Sequence, residues 1–424
     1  MRIAFVSQPW ETVNPGDLTG SVSVITYELA RLLARSCDVV VYAPWDRRRP
    51  RVERVDGVAY RRVRVALDYW LQRAVARAWR STKTTRPVFA SALYYLGYIA
   101  QVALDLRGQR CDVVHVHNFS QFLPLLHAAN PNARLVLHMH CTWLSDLDRR
   151  VVADRLQRAS LVVGCSEYVT ERVRRAHPAA EPRCRTVHNG VDPRRFVPVE
   201  DRPGAGANRR PRLLYVGRLS PEKGVHVLLE AFARVARRHP TVELQIVGPL
   251  SVAPRAFFVG DSDDEPVRAL DTFYRRDYWQ ALQEGVPSDL RERVVFVGKT
   301  SHADLPRRYQ EADVCVVPSV CHEAFGVPCL EAMATRLPVV ATRSGGIVEV
   351  VEDGETGLLV ERGDPVGLAE AIERLLVDER LGRSLGFAGR RRVLAQFAWE
   401  RIVERWLAAY RDALTAEPRA RPVG

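Results

Sequence analysis

Short apolar runs alternate with longer amphipathic stretches along the first half of the chain, and this rhythm limits the possible folds most strongly. The apolar run at residues 2–6 is followed by helical periodicity over residues 22–34 and by a second apolar run at residues 39–42. Strand, helix and strand in this order predict a parallel sheet joined by crossover helices. Three more strand-like runs continue the pattern, at residues 112–117, 134–140 and 161–166.

The same alternation restarts after residues 197–212, which contain proline, glycine and charged residues without periodicity and therefore predict a linker. A chain of 424 residues is too long for one ordinary hydrophobic core and suits two domains. The second series contains strand-like runs at 213–216, 244–247, 294–297, 314–317 and 338–341, a helix at 225–238, and an almost continuous helical segment at 365–414.

We therefore predict an α/β protein with two Rossmann-like domains, each a doubly wound parallel sheet. The first domain would span residues 1–197 and the second residues 213–395, with a linker at residues 198–212. A C-terminal helix within residues 396–424 would pack back on the first domain. Doubly wound sheets bind ligands at the carboxyl ends of their strands, so two such domains facing across a cleft would hold one ligand on each side.

Charge and cysteine usage narrow the class of protein further. The net charge of +12 is spread in short clusters without interleaved aromatic residues, which favours a solvated basic surface over a nucleic-acid site. The 8 cysteines include no CxxC pair, so we expect free thiols in a reducing compartment. No secretion signal precedes the first strand, and the uncharged residues 88–104 suit a buried or interfacial helix better than a membrane span, so we expect a cytoplasmic protein.

The strongest candidate site is the window 215–224, in which a strand ends at Gly217 and a helix begins near Lys223. Arg218 and Lys223 would project from a strand-end loop and a helix N-terminus, where free N–H groups and the helix dipole favour a phosphate. Arginine can fork onto a phosphate, and lysine adds a point charge. Lysine is scarce in this arginine-rich chain, so Lys223 indicates a required ammonium group rather than a generic solvated charge.

A second window, residues 322–332, follows the strand-like run that ends near residue 319. Gly326 would free the backbone for close approach to a ligand. Glu331 lies in an apolar helical turn and needs a partner if it is buried, for which ribose hydroxyls are suitable. Glu323 lies in the loop, where it could accept hydrogen bonds from sugar hydroxyls. A first-turn glutamate favoured by the helix dipole would explain Glu331 alone, but not the pair.

These windows together resemble the retaining glycosyltransferases of the GT-B fold, family 4, also called glycosyltransferase group 1. The resemblance spans nearly the whole chain and includes His-Asn-Gly-Val-Asp at residues 188–192 and Gly-Gly-Ile-Val-Glu at residues 345–349. It implies that the second domain binds a nucleotide-diphosphate sugar and that the sugar is transferred with retained anomeric configuration. The motifs are specific for the family and poorly specific for the substrate.

The resemblance also implies roles for individual residues. Arg218 and Lys223 would hold the donor diphosphate, Glu323 would contact the transferred sugar, and Glu331 would bind the ribose. Charge on the leaving diphosphate would be offset by Arg218, Lys223 and the helix N-terminus. The remaining donor contacts would come from the backbone of Gly217, Phe325, Gly326 and Val327, and from the loop with Gly20 and Ser21, where many family members carry paired glycines.

Four histidines form two His-x-His pairs, at residues 115–117 and 138–140, each pair on one face of a predicted strand. We disfavour a metal site because no further ligand lies nearby in sequence. The resemblance places His140 beside the transferred sugar, where its ring or its backbone carbonyl would form a hydrogen bond with the sugar rather than act as a general base. The sequence Asp-Ser-Asp-Asp at residues 261–264 lacks the strand that a metal-binding Asp-x-Asp motif needs, so we expect a solvated loop and catalysis without metal or cofactor.

We therefore expect a bacterial enzyme that transfers a sugar from a UDP- or GDP-linked donor to a small-molecule acceptor. The arginine- and alanine-rich composition suggests a GC-rich genome and favours secondary-metabolite, antibiotic or thiol-sugar biosynthesis. The loops that carry Trp10 and Trp143 would shape the acceptor pocket.

Two alternatives stay open. A membrane-surface glycosyltransferase acting on a lipid or polysaccharide precursor is supported by the basic and aromatic region 60–106. The second alternative is a non-catalytic nucleotide-binding protein. Such a protein would be expected to have lost donor-binding residues, and all four are present here: Arg218, Lys223, Glu323 and Glu331. A dinucleotide oxidoreductase is disfavoured, because no Gly-x-Gly-x-x-Gly follows the first strand.

Overall fold

The structure is a computed structural model that describes residues 1–18, 20–80, 91–199, 210–260 and 262–415, without the side chains of residues 74–80. The described chain forms two compact units. Unit 1 comprises Met1–Asn189 together with the chain from Trp399 onward, and unit 2 comprises Gly190–Ala398. Of the predicted linker, residues 200–209 lie outside the described part of the chain.

Unit 1 is built on one sheet, and helices alternate with most of its strands along the chain. Its strands are β1 (Arg2–Val6), β2 (Asp38–Pro44), β3 (Val52–Val55), β4 (Val58–Val63), β5 (Val113–His117), β6 (Arg134–Met139), β7 (Leu161–Gly164) and β8 (Cys184–Thr186). Their order is β3-β4-β2-β1-β5-β6-β7-β8, and every pair is parallel except β3 with β4. The helices within residues 1–189 are α1 (Ser21–Leu33), α2 (Ala66–Arg80), α3 (Leu96–Gln109), α4 (Leu123–Ala129), α5 (Trp143–Asp146), α6 (Arg149–Leu156) and α7 (Glu167–Ala176).

Unit 2 contains a parallel sheet in the order β11-β10-β9-β12-β13-β14. These strands are β9 (Arg212–Val216), β10 (Glu243–Val247), β11 (Val294–Gly298), β12 (Val314–Val317), β13 (Val339–Thr342) and β14 (Leu358–Val360). The helices of unit 2 are α8 (Val225–Arg238), α9 (Glu265–Ala269), α10 (Asp271–Tyr274), α11 (Tyr278–Glu284), α12 (Leu305–Glu311), α13 (Val327–Ala334), α14 (Ile347–Val350), α15 (Pro365–Val377) and α16 (Glu379–Arg392).

The sequence forms these elements because its apolar residues match the period of each. Strands β12 and β13 are buried along their whole length, as the inner strands of a parallel sheet must be. The last helix, α17 (Trp399–Thr415), buries Trp399, Ile402, Trp406 and Tyr410 at three- and four-residue spacing. These side chains join the core of unit 1 around β1 and β2, so the C-terminal helix belongs to the N-terminal sheet.

Local differences from the sequence prediction have physical causes. The helix predicted over residues 88–104 begins only at Leu96, after Tyr95 in left-handed conformation with φ of 57°, and its first residues lie outside the described part. The predicted helical segment 365–414 is three helices, separated at Asp378 and by a π-turn at Val393–Phe397. Within the described residues, no helix combines the length and the apolar character that crossing a membrane requires.

Candidate functional site

The strand order of unit 2 reverses between β9 and β12, which lie side by side although other strands separate them in sequence. Ligands of open α/β sheets bind outside the carboxyl ends of the strands at such a switch point. The two windows singled out in the sequence follow these two strands directly. Lys223 and Glu323 are therefore brought together although 100 residues separate them.

Lys223 and Glu323 form a partly buried ion pair. The Lys223 Nζ atom donates to both carboxylate oxygens of Glu323, at 2.6 Å and 2.9 Å. The hydroxyl of Ser319 donates to the same carboxylate. Burial alone would raise the pKa of Glu323. The charge of the Lys223 ammonium and the hydrogen bonds from Lys223 and Ser319 outweigh burial and hold that pKa below the ordinary value. Glu323 is therefore a charged carboxylate in the ligand-free protein.

Arg218 is held at the side of this pair by Glu222, a residue that the sequence reasoning did not single out. An Arg218 guanidinium nitrogen donates to Glu222 Oε1 at 3.0 Å, and the hydroxyl of Ser220 donates to the same side chain. The side chain of Glu222 is 2% exposed, whereas that of Arg218 is 40% exposed. Gly217 directly follows β9, and its N–H donates to the Val247 carbonyl at 2.9 Å. The buried carboxylate of Glu222 thus fixes Arg218, whose guanidinium group presents a positive charge to solvent.

The loop that carries Glu323 is fixed by the glycine pair that follows β13. The Glu323 N–H donates to Ser344 Oγ at 2.9 Å, and Gly346 N–H donates to the Glu323 carbonyl at 2.8 Å. Gly345 has a φ of +50°, and a side chain there would fall on the Glu323 carbonyl oxygen. The glycine pair is therefore required for the position of Glu323.

Helix α13 begins directly after this loop. Gly326 precedes it with a φ of +98°, and a β-carbon there would lie 2.8 Å from a side-chain carbon of Ile347. Phe325 is buried, and Val327 is the first residue of the helix. The N-terminus of α13 therefore lies at the same strand end as the Lys223–Glu323 pair.

Glu331 is 5% exposed and carries protein partners in the absence of a ligand. The Tyr309 hydroxyl donates to one carboxylate oxygen at 2.7 Å, and His302 Nε2 lies 3.2 Å from the other. The sequence predicted that a buried Glu331 needs a partner, but it did not identify these two residues. Tyr309 comes from α12 and His302 from the loop before it, so only the fold brings them to Glu331.

In unit 1, Gly20 and Ser21 stand at the start of α1, and Thr19 lies outside the described residues. Gly20 is the N-cap, and its N–H donates to Ser23 Oγ at 3.1 Å. The carboxylate of Glu11 accepts from the Ser23 N–H at 3.2 Å, and it fills the space next to Gly20. The Glu11 carboxylate therefore already accepts a hydrogen bond from one of the backbone N–H groups at the N-terminus of α1.

Trp10 and Trp143 belong to one aromatic cluster in unit 1. Their ring centroids are 6.3 Å apart, and the Trp10 ring packs edge-on against Phe119 at 5.0 Å. Trp10 also lies 6.5 Å from Tyr94, and it remains 38% exposed. The two tryptophans predicted on the acceptor side are thus neighbours on a partly open aromatic surface.

The histidines of β5 and β6 and His140, which directly follows β6, form one cluster, because the two strands pair in register. His115, His117 and His138 are buried, and His140 is half-buried. Nδ1 of His117 lies 2.9 Å from Nε2 of His140, and Nε2 of His117 lies 3.1 Å from the hydroxyl oxygen of Thr26. Burial lowers the pKa of His117 well below the ordinary value and that of His140 to about 3. Both rings are therefore neutral at physiological pH.

One hydrogen bond fixes the tautomers of these rings. Thr26 donates its hydroxyl proton to the Val22 carbonyl at 2.7 Å, so it accepts a hydrogen bond from His117 Nε2–H. Nδ1 of His117 then accepts from His140 Nε2–H. Nδ1 of His140 is buried and has no hydrogen-bond partner among the described residues. Both ring nitrogens of His140 are thus turned into the protein.

A third metal ligand, which the sequence appeared to lack, does lie beside the first pair. Ligand nitrogens of His115, His117 and His138 all lie within 4.8 Å of one another. His115 Nδ1 lies 2.7 Å from the Tyr410 hydroxyl oxygen, and His115 Nε2 lies 3.1 Å from His138 Nδ1. A metal ion would have to displace these hydrogen bonds, so the absence of a metal stays our prediction.

The described residues 262–264 of the Asp-Ser-Asp-Asp segment form a loop with Asp263 exposed, but Asp264 is only half-exposed and carries an ion-pair partner. Asp261 lies outside the described residues, but Asp264 pairs with Arg362 at 2.7 Å and lies 3.8 Å from His322. Asp264 is therefore engaged by an arginine at the rim of the site in unit 2.

Comparison with known proteins identifies the family of this chain. Residues 22–195 match the model of Glycosyltransferase Family 4, and residues 210–378 match that of Glycosyl transferases group 1. Spore coat protein SA of Bacillus subtilis (strain 168) is 27% identical over 97% of this chain and 99% of its own length. The D-inositol 3-phosphate glycosyltransferase of Geodermatophilus obscurus is 31% identical over 97% of this chain and 89% of its own length. Sucrose-phosphate synthase from Thermosynechococcus elongatus superposes with a TM-score of 0.75 at 26% identity, covering 98% of this chain and 100% of that one.

The two Rossmann-like sheets and these matches define a glycosyltransferase of the GT-B fold, an enzyme that takes a sugar from a nucleotide sugar. Because it is an enzyme, the non-catalytic alternative is not favoured. Within that class, the chain belongs to glycosyltransferase family 4, the group 1 glycosyltransferases. The roles of the individual site residues stay predictions.

Proposed function

We propose that the protein is a retaining glycosyltransferase that moves a sugar from a UDP- or GDP-linked donor to a small-molecule acceptor. The observation that carries this proposal is the Lys223–Glu323 pair at the switch point of unit 2, with Nζ 2.6 Å from Oε1. An ammonium and a carboxylate side by side match the two parts of such a donor, an anionic diphosphate and a sugar rich in hydroxyl groups.

Binding of the donor would exchange partners within this pair. The diphosphate attracts the Lys223 ammonium and the exposed Arg218 guanidinium, which together offset its charge. Glu323 then turns its carboxylate to the hydroxyls of the sugar while it keeps the hydrogen bond from Ser319. Glu331, oriented by Tyr309, would accept from the ribose hydroxyls.

The chemical step requires stabilisation of charge on the leaving group. The bond between the anomeric carbon and the phosphate oxygen breaks, and its electron pair stays on the diphosphate. The acceptor oxygen forms its bond from the same face, and its proton passes to the departing phosphate. Arg218, Lys223 and the N-terminus of α13 stabilise the developing charge, so we propose catalysis without a metal ion.

His140 would contribute through its backbone. Its Nε2–H donates to His117 and its Nδ1 is buried, so the ring is poorly placed to take a proton from the acceptor. Its lowered pKa, about 3, makes the ring a weak base. We therefore assign to the His140 carbonyl a hydrogen bond that it accepts from a hydroxyl of the sugar, not general base catalysis.

The aromatic cluster of Trp10 and Trp143 supports an acceptor with apolar faces, such as a sugar or a cyclitol. The names of two relatives refer to phosphorylated polyols or sugars, inositol 3-phosphate and sucrose phosphate. We propose a small phosphorylated or unphosphorylated polyol acceptor, used in secondary-metabolite, antibiotic or thiol-sugar biosynthesis in the bacterial cytoplasm.

The test is a screen of the purified full chain. UDP- and GDP-linked hexoses are combined with inositol phosphates, sugar phosphates and free sugars, and release of the nucleoside diphosphate is measured. We expect acceptor-dependent release with one donor, and NMR of the product should show the anomeric configuration of the donor. A product of inverted configuration, or loss of activity in Arg237→Met (an exposed residue of α8) equal to that in Lys223→Met, would refute the proposal.

A second candidate function is transfer to a lipid acceptor at a membrane surface. Helix α2 exposes Leu67, Tyr69 and Trp70, with exposures of 68%, 49% and 67%. Exposed Leu93 and Leu96 precede and begin α3, which contacts α2. Such an apolar surface on a basic chain suits an anionic interface.

Flotation with anionic vesicles tests this candidate. We expect binding that a Leu67→Ser, Trp70→Ser variant loses and that Val377→Ser retains, since Val377 is 73% exposed but lies in unit 2. Absence of the wild-type protein from the vesicle fraction would exclude transfer to a lipid acceptor at a membrane surface.

A further inference from the structure

Residues 251–286, the insertion between β10 and β11, form several hydrogen bonds with the loop of Arg218. The Ser251 carbonyl accepts from the Arg218 guanidinium at 3.3 Å, and the Ala253 N–H donates to Ser220 Oγ at 3.1 Å. The Tyr274 hydroxyl donates to Glu222 Oε2 at 3.2 Å. Ser251 contacts Arg218 directly, Tyr274 reaches it through Glu222, and Ala253 reaches it through Ser220 and Glu222, so the insertion borders the proposed phosphate-binding loop.

We propose that Tyr274 is a positioning residue for the donor diphosphate, which acts on Arg218 through the buried carboxylate of Glu222. The proposal rests on the proposed function, because it assigns Arg218 to the diphosphate. Its basis is a chain of contacts in which Tyr274 and Arg218 bind the two different oxygens of one carboxylate, at 3.2 Å and 3.0 Å.

The carboxylate of Glu222 must be satisfied where it lies, because its side chain is 2% exposed. Its donors are the hydroxyls of Ser220 and Tyr274 and the guanidinium of Arg218. Loss of the Tyr274 hydroxyl leaves a buried oxygen short of a donor. The partly exposed Arg218 can supply that donor by turning further toward Glu222, and it then withdraws from solvent and from a phosphate.

Anchoring of the insertion does not depend on the Tyr274 hydroxyl. The neighbouring Phe273 ring packs 4.1 Å from the His226 ring of α8, and Tyr278 contacts His226 at 3.1 Å. Asp264 adds an ion pair with Arg362, which also donates to the Val320 carbonyl at 2.9 Å. The phenyl ring of Phe in Tyr274→Phe fills the same space, so the substitution removes one donor and leaves the fold of the segment intact.

The kinetic test uses a double-mutant cycle of Tyr274→Phe and Arg218→Ala in the full chain, with Tyr278→Phe as the matched control. We expect Tyr274→Phe to lower kcat/KM for the nucleotide sugar about tenfold, as loss of one hydrogen bond to a charged group would. In the Arg218→Ala background the same change should have less than about a twofold effect. Tyr278→Phe, which removes the bond to His226, should leave donor kinetics unchanged.

Two results overturn the proposal. An effect of Tyr274→Phe that is equally large with and without Arg218 would show that the hydroxyl acts on stability or on another group. An unchanged kcat/KM in Tyr274→Phe, with normal nucleotide binding by the wild type and impaired binding by Lys223→Met, would refute the role of Tyr274 while the proposed function stands. If the wild type binds no nucleoside diphosphate, the proposed function fails and this proposal fails with it.

Discussion

Acidification should destabilise unit 1, because a cluster of four histidine rings, three of them buried and His140 half-buried, is held there in the neutral form. Burial lowers the pKa of His115, His117 and His138 well below the ordinary value of 6.5, and that of His140 to about 3. In the unfolded chain each ring returns to a pKa of about 6.5. As the pH falls through that value, the unfolded chain binds protons that the folded unit does not bind, so the free energy of unfolding decreases.

The magnitude follows from the number of rings. One ring with an unfolded pKa of about 6.5 and a folded pKa far lower costs about 1.4 kcal/mol between about pH 7.5 and pH 5.5. Four such rings together give about 5 kcal/mol, against a typical domain stability of about 5–15 kcal/mol. Glu323, whose pKa is lowered, loses its stabilising charge only below the ordinary value of 4.5, so it does not contribute in this interval.

Urea unfolding followed by tryptophan fluorescence at the two pH values measures this loss. Trp406 lies 4.7 Å from the ring centroids of both His115 and His138, and it reports on the cluster directly. A His138→Asn variant should lose about a quarter less stability over the interval. Substitution of the exposed His127 in α4 should leave the loss unchanged. Stability of unit 1 that is equal or greater at the lower pH would refute the buried, neutral cluster.

Two further predictions concern unit 2. Tyr309→Phe removes the hydroxyl that donates to Glu331 at 2.7 Å, so the KM for the nucleotide sugar should rise about tenfold with a smaller change in kcat. Gly345→Ala should unfold or inactivate unit 2, because the new β-carbon falls on the Glu323 carbonyl oxygen, whereas Gly354→Ala should cost only about 1 kcal/mol of backbone strain, since no atom lies within 4 Å of its β-carbon position. Thermal unfolding of the two variants separates these effects, and equal losses would contradict the steric argument.

Much of the fold is predictable because strands and helices leave periodic traces in the sequence. The strand-like run at residues 213–216 matches β9, and the run at 314–317 matches β12. The β3–β4 pair escaped prediction, since the edge strand β3 is exposed or half-exposed with Glu53 and Arg54 at its centre, and Arg61 and Arg62 interrupt the apolar residues of β4. Edge strands bury little apolar surface, so their sequences contain a weaker signal than the central ones.

The candidate site was predictable only where its residues belong to local windows. Lys223 and Glu323 each follow a strand, so the carboxyl-edge rule places both at one end of the sheet. Tyr274 and Tyr309 form their contacts between elements that are distant in sequence, and no local pattern marks them. Glu222 lies inside the first window, four residues after Arg218, but its burial beneath Arg218 shows only in the fold. The histidine cluster depends on the register of β5 with β6, in which His117 faces His138, and register is a property of the folded sheet.

The central claim is that unit 2 binds a nucleoside diphosphate through Lys223 and its neighbours. The most direct measurement is the melting temperature of the full chain with UDP, GDP and ADP, compared between the wild type, Lys223→Met and Arg237→Met. We predict that one nucleotide stabilises the wild type and Arg237→Met, by about 2.7 kcal/mol at 100 times its Kd, and that Lys223→Met loses most of this gain. No shift with any nucleoside diphosphate, or an undiminished shift in Lys223→Met, would contradict the account.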